Sequence, residues 1–458
     1  MNLDAEAIAA ATGAEVLAEG EAGSPGRATI DSGAAGPGDL FFGLRGERVD
    51  GGEFAPAAIA AGAWGAVVSR SARQRFDVEE TQNLSLGDSS GWVFAVEDPL
   101  AALQGLALAY RRALGAKVLG VTGSVGKTSV KDIARALLPG RVHANSENLN
   151  TEIGLPLTIL EAPDDTETLV LEMAMRGAGQ IAELAAIAEP DAAVITNVGP
   201  VHVELLGSVE AIAAAKAEVL AALPPDGAAI VPVEAGELEP HLGAAPSLIR
   251  FGPGGDVEAL ESRVVEGVTE AEVATPSGRA TFHFPFAEAH NLTNALAAIA
   301  AGVALGSDPA EMADRAANIG FSRFRGERIV LGDGIVLVND CYNANPVSMR
   351  AALDHLASLE GEARVAVLGE MAELGPGAAD FHREVGEHAR AVGIDRVVGV
   401  GESAQAYGPD ELVGTPEEAA ELIAAQLEPG DAVLVKGSRS AGLETVAEEL
   451  QTLLGGRA

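Results

Sequence analysis

Apolar residues in this chain fall mostly into short unbroken runs, with helical-period stretches between them. Residues 118–122, 168–173, 192–197 and 228–231 are such runs. Continuous apolar strands separated by helices predict a parallel sheet covered on both faces. Beyond about Phe321 a second series begins, at 335–338, 364–368, 396–400 and 431–435, again with helices between. It predicts an independent, doubly wound domain. Ahead of both lies a unit with a short helix near residues 3–8, strand-like runs at 39–44 and 65–69, and a polar loop at 81–91. Pro99 opens a helix that reaches about Leu114 and serves as a connector, and the more alternating stretch 250–285 predicts a small antiparallel addition. The fold class is therefore α/β with three domains: residues 1–98, a central phosphate-loop parallel-sheet domain at 99–317, and a Rossmann-like doubly wound domain at 318–458. Two facing α/β domains make a cleft suited to a nucleotide and an acceptor.

The clearest chemistry follows the 118–122 run, in Thr122-Gly123-Ser124-Val125-Gly126-Lys127-Thr128-Ser129, before a helical stretch. A glycine loop between strand and helix lets backbone N–H groups close on phosphate oxygens, and the helix N-terminus adds partial positive charge. Lys127 places a compact ammonium at the β/γ-phosphates, and Thr128 offers a hydroxyl to Mg²⁺. Gly123 and Gly126 are only three residues apart, so the frame is shorter than the usual phosphate loop. Composition sharpens the point: five lysines (117, 127, 131, 216 and 436) stand against 25 arginines, so each lysine invites a reason for being there.

Other polar residues sit where the apolar runs end. Glu172 lies inside an apolar strand; it either holds Mg²⁺ beside the phosphates or is a buried carboxylate that caps a helix or pairs with an arginine such as Arg176. His202 follows a strand-ending Gly-Pro. Lys216 lies on an alanine-rich helix face, where a solvated or snorkelling lysine is the plain expectation. Asn148, Asn150 and Thr151 belong to a polar loop that is either a substrate loop or a helix cap. Asn291 and Asn294 open a helix, with amides that either read a base edge or cap. In the last domain Asp340, Tyr342, Asn343 and Asn345 end one strand and Lys436 and Arg439 end another; Asp340 suits a ribose hydroxyl, Lys436 and Arg439 a carboxylate or phosphate.

Charge and cysteine content bound the setting. A net charge of -37 excludes an extended nucleic-acid or anionic-membrane surface. The single Cys341 forms no internal disulfide, no stretch of apolar residues is long enough to span a bilayer, and the start lacks the basic pattern of a signal peptide. We expect a cytoplasmic monomer acting on small molecules, without membrane insertion.

Taken together, the phosphate loop, Asn148-Leu149-Asn150, Glu172, Thr196-Asn197 with His202, Lys216, Asn294 and Arg325 resemble the Mur ligase family of ATP-dependent amide ligases. The 342–346, 368–375 and 436–439 segments resemble its D-alanyl-D-alanine-adding branch. No Asp-Asn-Pro-Arg string occurs, which disfavours the branch adding a diamino residue. The resemblance implies an acyl-phosphate reaction joining D-alanyl-D-alanine to UDP-N-acetylmuramoyl-tripeptide with ATP and two Mg²⁺ ions; another ligase of the family, with a different amine and carboxylate, is the alternative. It implies a carbamylated Lys216 sharing the second metal with His202, adenine read by Asn294, ribose held by Asp340 and the γ-phosphate met by Arg325. It also implies a UDP-muramoyl site including Ser32 and Arg45, with Gly33 and Gly52 standing where the family commonly carries arginine and histidine.

Overall fold

The structure, a computed structural model, describes residues 1–71, 91–146, 148–201 and 203–455. Most of the expected 81–91 loop, and His202, lie outside them.

The first sheet holds β1 (Glu15–Ala18), β2 (Arg27–Thr29), β3 (Asp39–Phe42), β4 (Gly65–Ser69) and β5 (Trp92–Val96), in the order β1-β5-β4-β3-β2 with only β1 antiparallel. The helix Pro99–Leu114 leaves it, its Asp98 side chain accepting from Leu100 N–H at the start and Gly115 turning left-handed at the end.

The central sheet is parallel throughout: β6 (Lys117–Thr122), β7 (Val142–Ala144), β8 (Thr168–Glu172), β9 (Ala192–Ile195), β10 (Ala228–Pro232) and β11 (Leu248–Phe251), ordered β11-β10-β9-β6-β8-β7. Its inner strands are buried on both faces, as their continuous apolar runs require. The chain winds one way from β6 to β7 and β8 and the other way to β9, β10 and β11. Strand order thus reverses at β6, and ligands bind such sheets outside the strand ends at that point. The alternating stretch forms an antiparallel sheet of β12 (Glu258–Val265), β13 (Val268–Thr275) and β14 (Gly278–Phe284).

The last sheet contains β15 (Glu327–Val330), β16 (Val336–Asn339), β17 (Arg364–Leu368), β18 (Arg396–Val400), β19 (Glu411–Val413) and β20 (Ala432–Lys436), ordered β15-β16-β20-β17-β18-β19, with β15 antiparallel. Because β20 lies between β16 and β17, three segments distant in sequence end side by side. Residues 312–318 are helical, so the irregular connector between the central and last sheets is 319–326. Phe286 and Phe321 pack with ring centroids 5.9 Å apart where it starts. Among the described residues no helix is long and apolar enough to cross a membrane.

Candidate active site

The phosphate loop is locked by close approach. Gly123 has φ +147°, and a Cβ there would lie 1.9 Å from Thr196 Oγ1; Gly126 has φ +83°, and a Cβ there would lie 2.5 Å from Asn294 Oδ1. Only glycine fits either place. Thr196 and Asn197, at the end of β9, grip the loop from the other side. Val125 N–H donates to Asn197 Oδ1 at 2.9 Å, and Thr196 Oγ1 donates to Val125 O at 2.5 Å. Lys127 opens the helix Lys127–Leu137 and donates to Gly123 O at 2.9 Å. Burial pulls its ammonium below the usual lysine range; Glu172 opposes that shift and Arg325 adds to it. A half-buried cation beside a second cation is a site prepared for an anion.

Glu172 ends β8 at 3% exposure. Its two oxygens accept from Thr128 Oγ1 and Asn150 Nδ2, each at 2.8 Å, while Asn145 Oδ1 receives its backbone N–H at 2.6 Å. Arg176 instead reaches Glu373 of the last domain at 3.8 Å, so the arginine-paired reading of Glu172 fails. Hydroxyl and carboxylate oxygens next to a phosphate loop are the hard donors Mg²⁺ takes, so Thr128 and Glu172 fit that ion. Lys216 is 3% exposed, not solvated as expected from its helix alone. Burial first, and nearby Lys127 second, hold its amine well below the usual range. No described residue accepts a hydrogen bond from it.

Across the cleft the three strand ends of the last sheet form the facing wall. After β16, Lys436 Nζ binds Asp340 Oδ2 at 2.5 Å and Asn343 O at 3.0 Å, and at 2% exposure it is committed to that loop. The expectation that Lys436 meets a substrate anion is therefore replaced by a loop-locking role: its three acceptors, with Asp340 O at 3.4 Å, already surround the ammonium. Asn345 caps the helix Pro346–Ser358 through a capping box, and Asn343 Oδ1 accepts from Ala344 N–H. After β17, Tyr407 Oη donates to Gly369 O at 2.8 Å and His382 Nε2 accepts from Met371 N–H at 3.0 Å. His382 Nδ1 lies 2.7 Å from Ala378 O, and burial lowers its pKa, so the imidazole is neutral with its proton on Nδ1. After β20, Ser438 N–H donates to Glu370 O and Ser438 Oγ accepts from Ala372 N–H. Held at these points, the loop ends with Glu373 at φ +61°, a left-handed backbone unusual for glutamate.

A cavity of about 710 Å³ separates the walls. Thr128, Asn148 and Arg176 line it from the central domain; Arg325, Tyr342, Asn343, Asn345, Glu373 and Arg439 line it from the other side. Arg325 stacks over the Tyr342 ring at 4.1 Å, and its Nε is buried with no hydrogen-bond partner among the described residues. Arg323, also on the wall, stacks on Phe324 at 4.8 Å, and Arg439 approaches the same ring at 5.5 Å. A smaller cavity of about 350 Å³ shares Ser322, Arg323 and Arg325 and runs toward Glu288 and His355. Asn294 abuts Gly126, and Thr151 accepts a long 3.4 Å bond from Gly154 N–H. Ser32 and Arg45 do not line either cavity; Arg45 binds Ser71 Oγ at 3.0 Å.

Sequence reasoning missed Asn145, Arg323 and Ser438, and gave Arg176 a different partner. Ser438 was adjacent to the flagged Lys436 and Arg439. The others gave no signal, since each acquires meaning only from a partner far along the chain.

Three family models match: the Mur ligase family catalytic domain at residues 28–111, the Mur ligase middle domain at 121–302, and the Mur ligase glutamate ligase domain at 324–439. UDP-N-acetylmuramoyl-tripeptide–D-alanyl-D-alanine ligase of Synechocystis sp. is 38% identical over 424 residues, 90% of this chain and 89% of that protein. The ligase of the same name from Bacillus subtilis is 37% identical, covering 90% of each chain. Among solved structures, MurF from Acinetobacter baumannii matches with a TM-score of 0.87 at 29% identity over 99% of both chains. The MurF ligase of Thermotoga maritima in complex with ADP matches at 0.79 and 31% identity, over 93% of this chain and 97% of that one. Matched by Mur ligase models along most of its length and by relatives above 30% identity over nine-tenths of it, the chain belongs to the Mur ligase family.

Proposed function

We propose that this chain is an ATP-dependent ligase joining D-alanyl-D-alanine to UDP-N-acetylmuramoyl-tripeptide in peptidoglycan precursor synthesis. The observation that carries the reading is the approach from opposite domains of a glycine-locked ammonium, Lys127, and a guanidinium with an unpartnered buried Nε, Arg325, close enough that Arg325 lowers the lysine pKa, beside a cavity lined by Thr128 and Arg325. The names and coverage of the relatives supply the amine and the acceptor.

The substrate's terminal carboxylate attacks the γ-phosphorus of ATP, ADP leaves, and an acyl phosphate forms. The amine of D-alanyl-D-alanine then attacks the acyl carbon; phosphate leaves and an amide remains. Lys127 and Arg325 offset charge on the transferring phosphoryl group. Thr128 and Glu172 would hold Mg²⁺, which when bound adds positive charge at the phosphate oxygens. Asn294 is assigned to adenine and Asp340 to ribose. The 342–345 and 369–374 loops with Arg439 are assigned to the amine, Asn148, Asn150 and Thr151 to the acceptor's reactive end, and Ser32 and Arg45 of residues 1–98 to the UDP-muramoyl end.

The finer proposal for Lys216 is carbamylation. A neutral, desolvated amine is the form that attacks CO₂, and the resulting carboxylate would share a second Mg²⁺ with His202. A site buried beside Lys127 supports it, because a permanent charge there is costly. We further propose that the enzyme works in the cytoplasm as a monomer, with domain divisions near residues 98 and 317.

Purified protein given ATP, Mg²⁺, UDP-N-acetylmuramoyl-tripeptide and D-alanyl-D-alanine should yield the pentapeptide product by mass spectrometry, with ADP in equal amount. Faster ADP release with D-glutamate or meso-diaminopimelate and a correspondingly shorter acceptor would assign the chain to another reaction of the family.

A further inference from the structure

Lys131 is the one lysine of the phosphate-loop helix that the reaction leaves unused, and it is 2% exposed. Its Nζ donates to Asn145 O at 2.9 Å and lies 3.2 Å from Asp132 Oδ1. The second oxygen of Asp132, itself buried, faces the domain connector. It accepts from Ser322 N–H at 2.8 Å and from Ser322 Oγ at 2.7 Å. Asn145, on the other side of Lys131, receives the backbone N–H of Glu172. One chain of polar contacts, buried as far as Asp132, therefore runs from the backbone of Glu172 through Asn145, Lys131 and Asp132 to the half-buried Ser322.

Ser322 stands three residues before Arg325, at the start of the segment that carries the last domain's cation to the phosphates. The intervening Phe324 has φ +64°, a left-handed backbone that a phenylalanine holds only when its surroundings dictate it. Its carbonyl accepts from Tyr342 N–H at 3.1 Å, so the segment is tied at one end to the central helix and at the other to the last sheet. Lys127, Thr128 and Asp132 share the helix Lys127–Leu137, so the phosphate-side cation and the anchor of the opposing cation stand on one rigid element. Arg315 Nε also donates to Ala136 O at 3.1 Å, fastening the approach to the connector onto the same helix.

We infer that Asp132, braced by Lys131, is a positioning residue that sets Arg325 against the phosphate loop through its two bonds to Ser322. The inference rests on Arg325 meeting the γ-phosphate. Removal of Asp132 charge leaves the connector able to shift, and Arg325 then loses its place without being altered itself.

The test is a double-mutant cycle of wild type, Asp132→Asn, Arg325→Lys and the double variant, with folding checked by circular dichroism. Ser322→Ala serves as a milder variant that leaves no charge buried alone. The first readout is kcat with saturating substrates. The second is the ratio of AMP-PNP to ADP affinity, which reports the γ-phosphate contact without ligation. Hydrogen bonds to charged groups suggest a loss in kcat of about tenfold or more for Asp132→Asn, a smaller loss for Ser322→Ala, and under about threefold further loss when Asp132→Asn is added to Arg325→Lys. The AMP-PNP preference should fall alike in both single variants and no further in the double. Additive losses in the cycle would overturn the positioning role while leaving Arg325 at the phosphate. Equal affinity of the wild type for AMP-PNP and ADP would remove Arg325 from the γ-phosphate, and the inference would fall with it.

Discussion

The two walls of the cleft are built by different rules. The central wall is built around a contiguous segment at a strand–helix junction, and its glycines, Lys127 and Thr128 fall within six consecutive positions. The facing wall is assembled from the ends of β16, β17 and β20, brought together because β20 pairs between the other two. A lysine marks each wall, and their fates differ. Lys127 donates to one backbone carbonyl and has a pKa lowered by burial; Lys436 is surrounded by Asp340 and two carbonyls. Burial without a carboxylate partner marks the ammonium kept for a ligand, and burial with one marks the ammonium kept for the fold.

The largest expected effect breaks the central wall. Lys127→Ala should lower kcat by roughly 10³-fold with an unchanged circular dichroism spectrum, since charge at a transferring phosphoryl group is worth several kcal/mol. Lys127→Arg should fail too, because the broad guanidinium does not fit a loop closed by Gly123 and Gly126. Near-normal ADP release from either would remove Lys127 from the phosphates. Lys216→Ala should cost about 10²-fold and recover in part with a short carboxylic acid, while Lys216→Arg should not recover. Full activity in Lys216→Arg would exclude the carbamate.

Stability should respond in the opposite sense. Lys436→Met leaves Asp340 without its cation and should cost about 2–4 kcal/mol in urea unfolding. Lys127→Met removes a partly desolvated charge and should leave the midpoint unchanged or raised. Equal losses in the two variants would erase the distinction between the walls.

These contrasts explain what was legible in the sequence. Three α/β units, the parallel central sheet and the antiparallel 250–285 addition followed from apolar run length and spacing. The phosphate loop was legible because its chemistry is local. The roles of Lys436, Asn345 and Arg176 were not, because a side chain's free or committed state depends on partners tens to hundreds of positions away. The burial of Lys216 was legible only through the family resemblance, because an alanine face tells a helix's propensity and not which elements cover it. Glu172 could be narrowed only by the structure, where Arg176 turns to the other domain.

A smaller effect should appear with pH. Burial lowers the pKa of both His143 in the central domain and His382 behind the facing wall. The unfolded chain therefore binds more protons than the folded one as pH falls below about 6.5, and stability should decline through that window until the folded histidines also protonate. His382→Gln keeps an acceptor for Met371 N–H without titrating, and should flatten part of the decline; an unchanged pH profile would show that His382 does not contribute. The smallest effect is reserved for the exposed Arg176–Glu373 contact. Arg176→Ala should shift stability by less than about 1 kcal/mol and act mainly on the salt dependence of activity.

The division of labour between the walls can be read directly by rapid quench with labelled ATP and UDP-N-acetylmuramoyl-tripeptide, trapping acyl phosphate before the amine is added. His382→Leu frees the loop facing the amine and leaves the phosphate side untouched, so it should give a wild-type burst of acyl phosphate followed by slow ligation with a raised KM for D-alanyl-D-alanine. Lys127→Ala should give no burst. A burst lost equally in both variants would contradict the account, because the 369–374 loop would then serve phosphoryl transfer and not the amine.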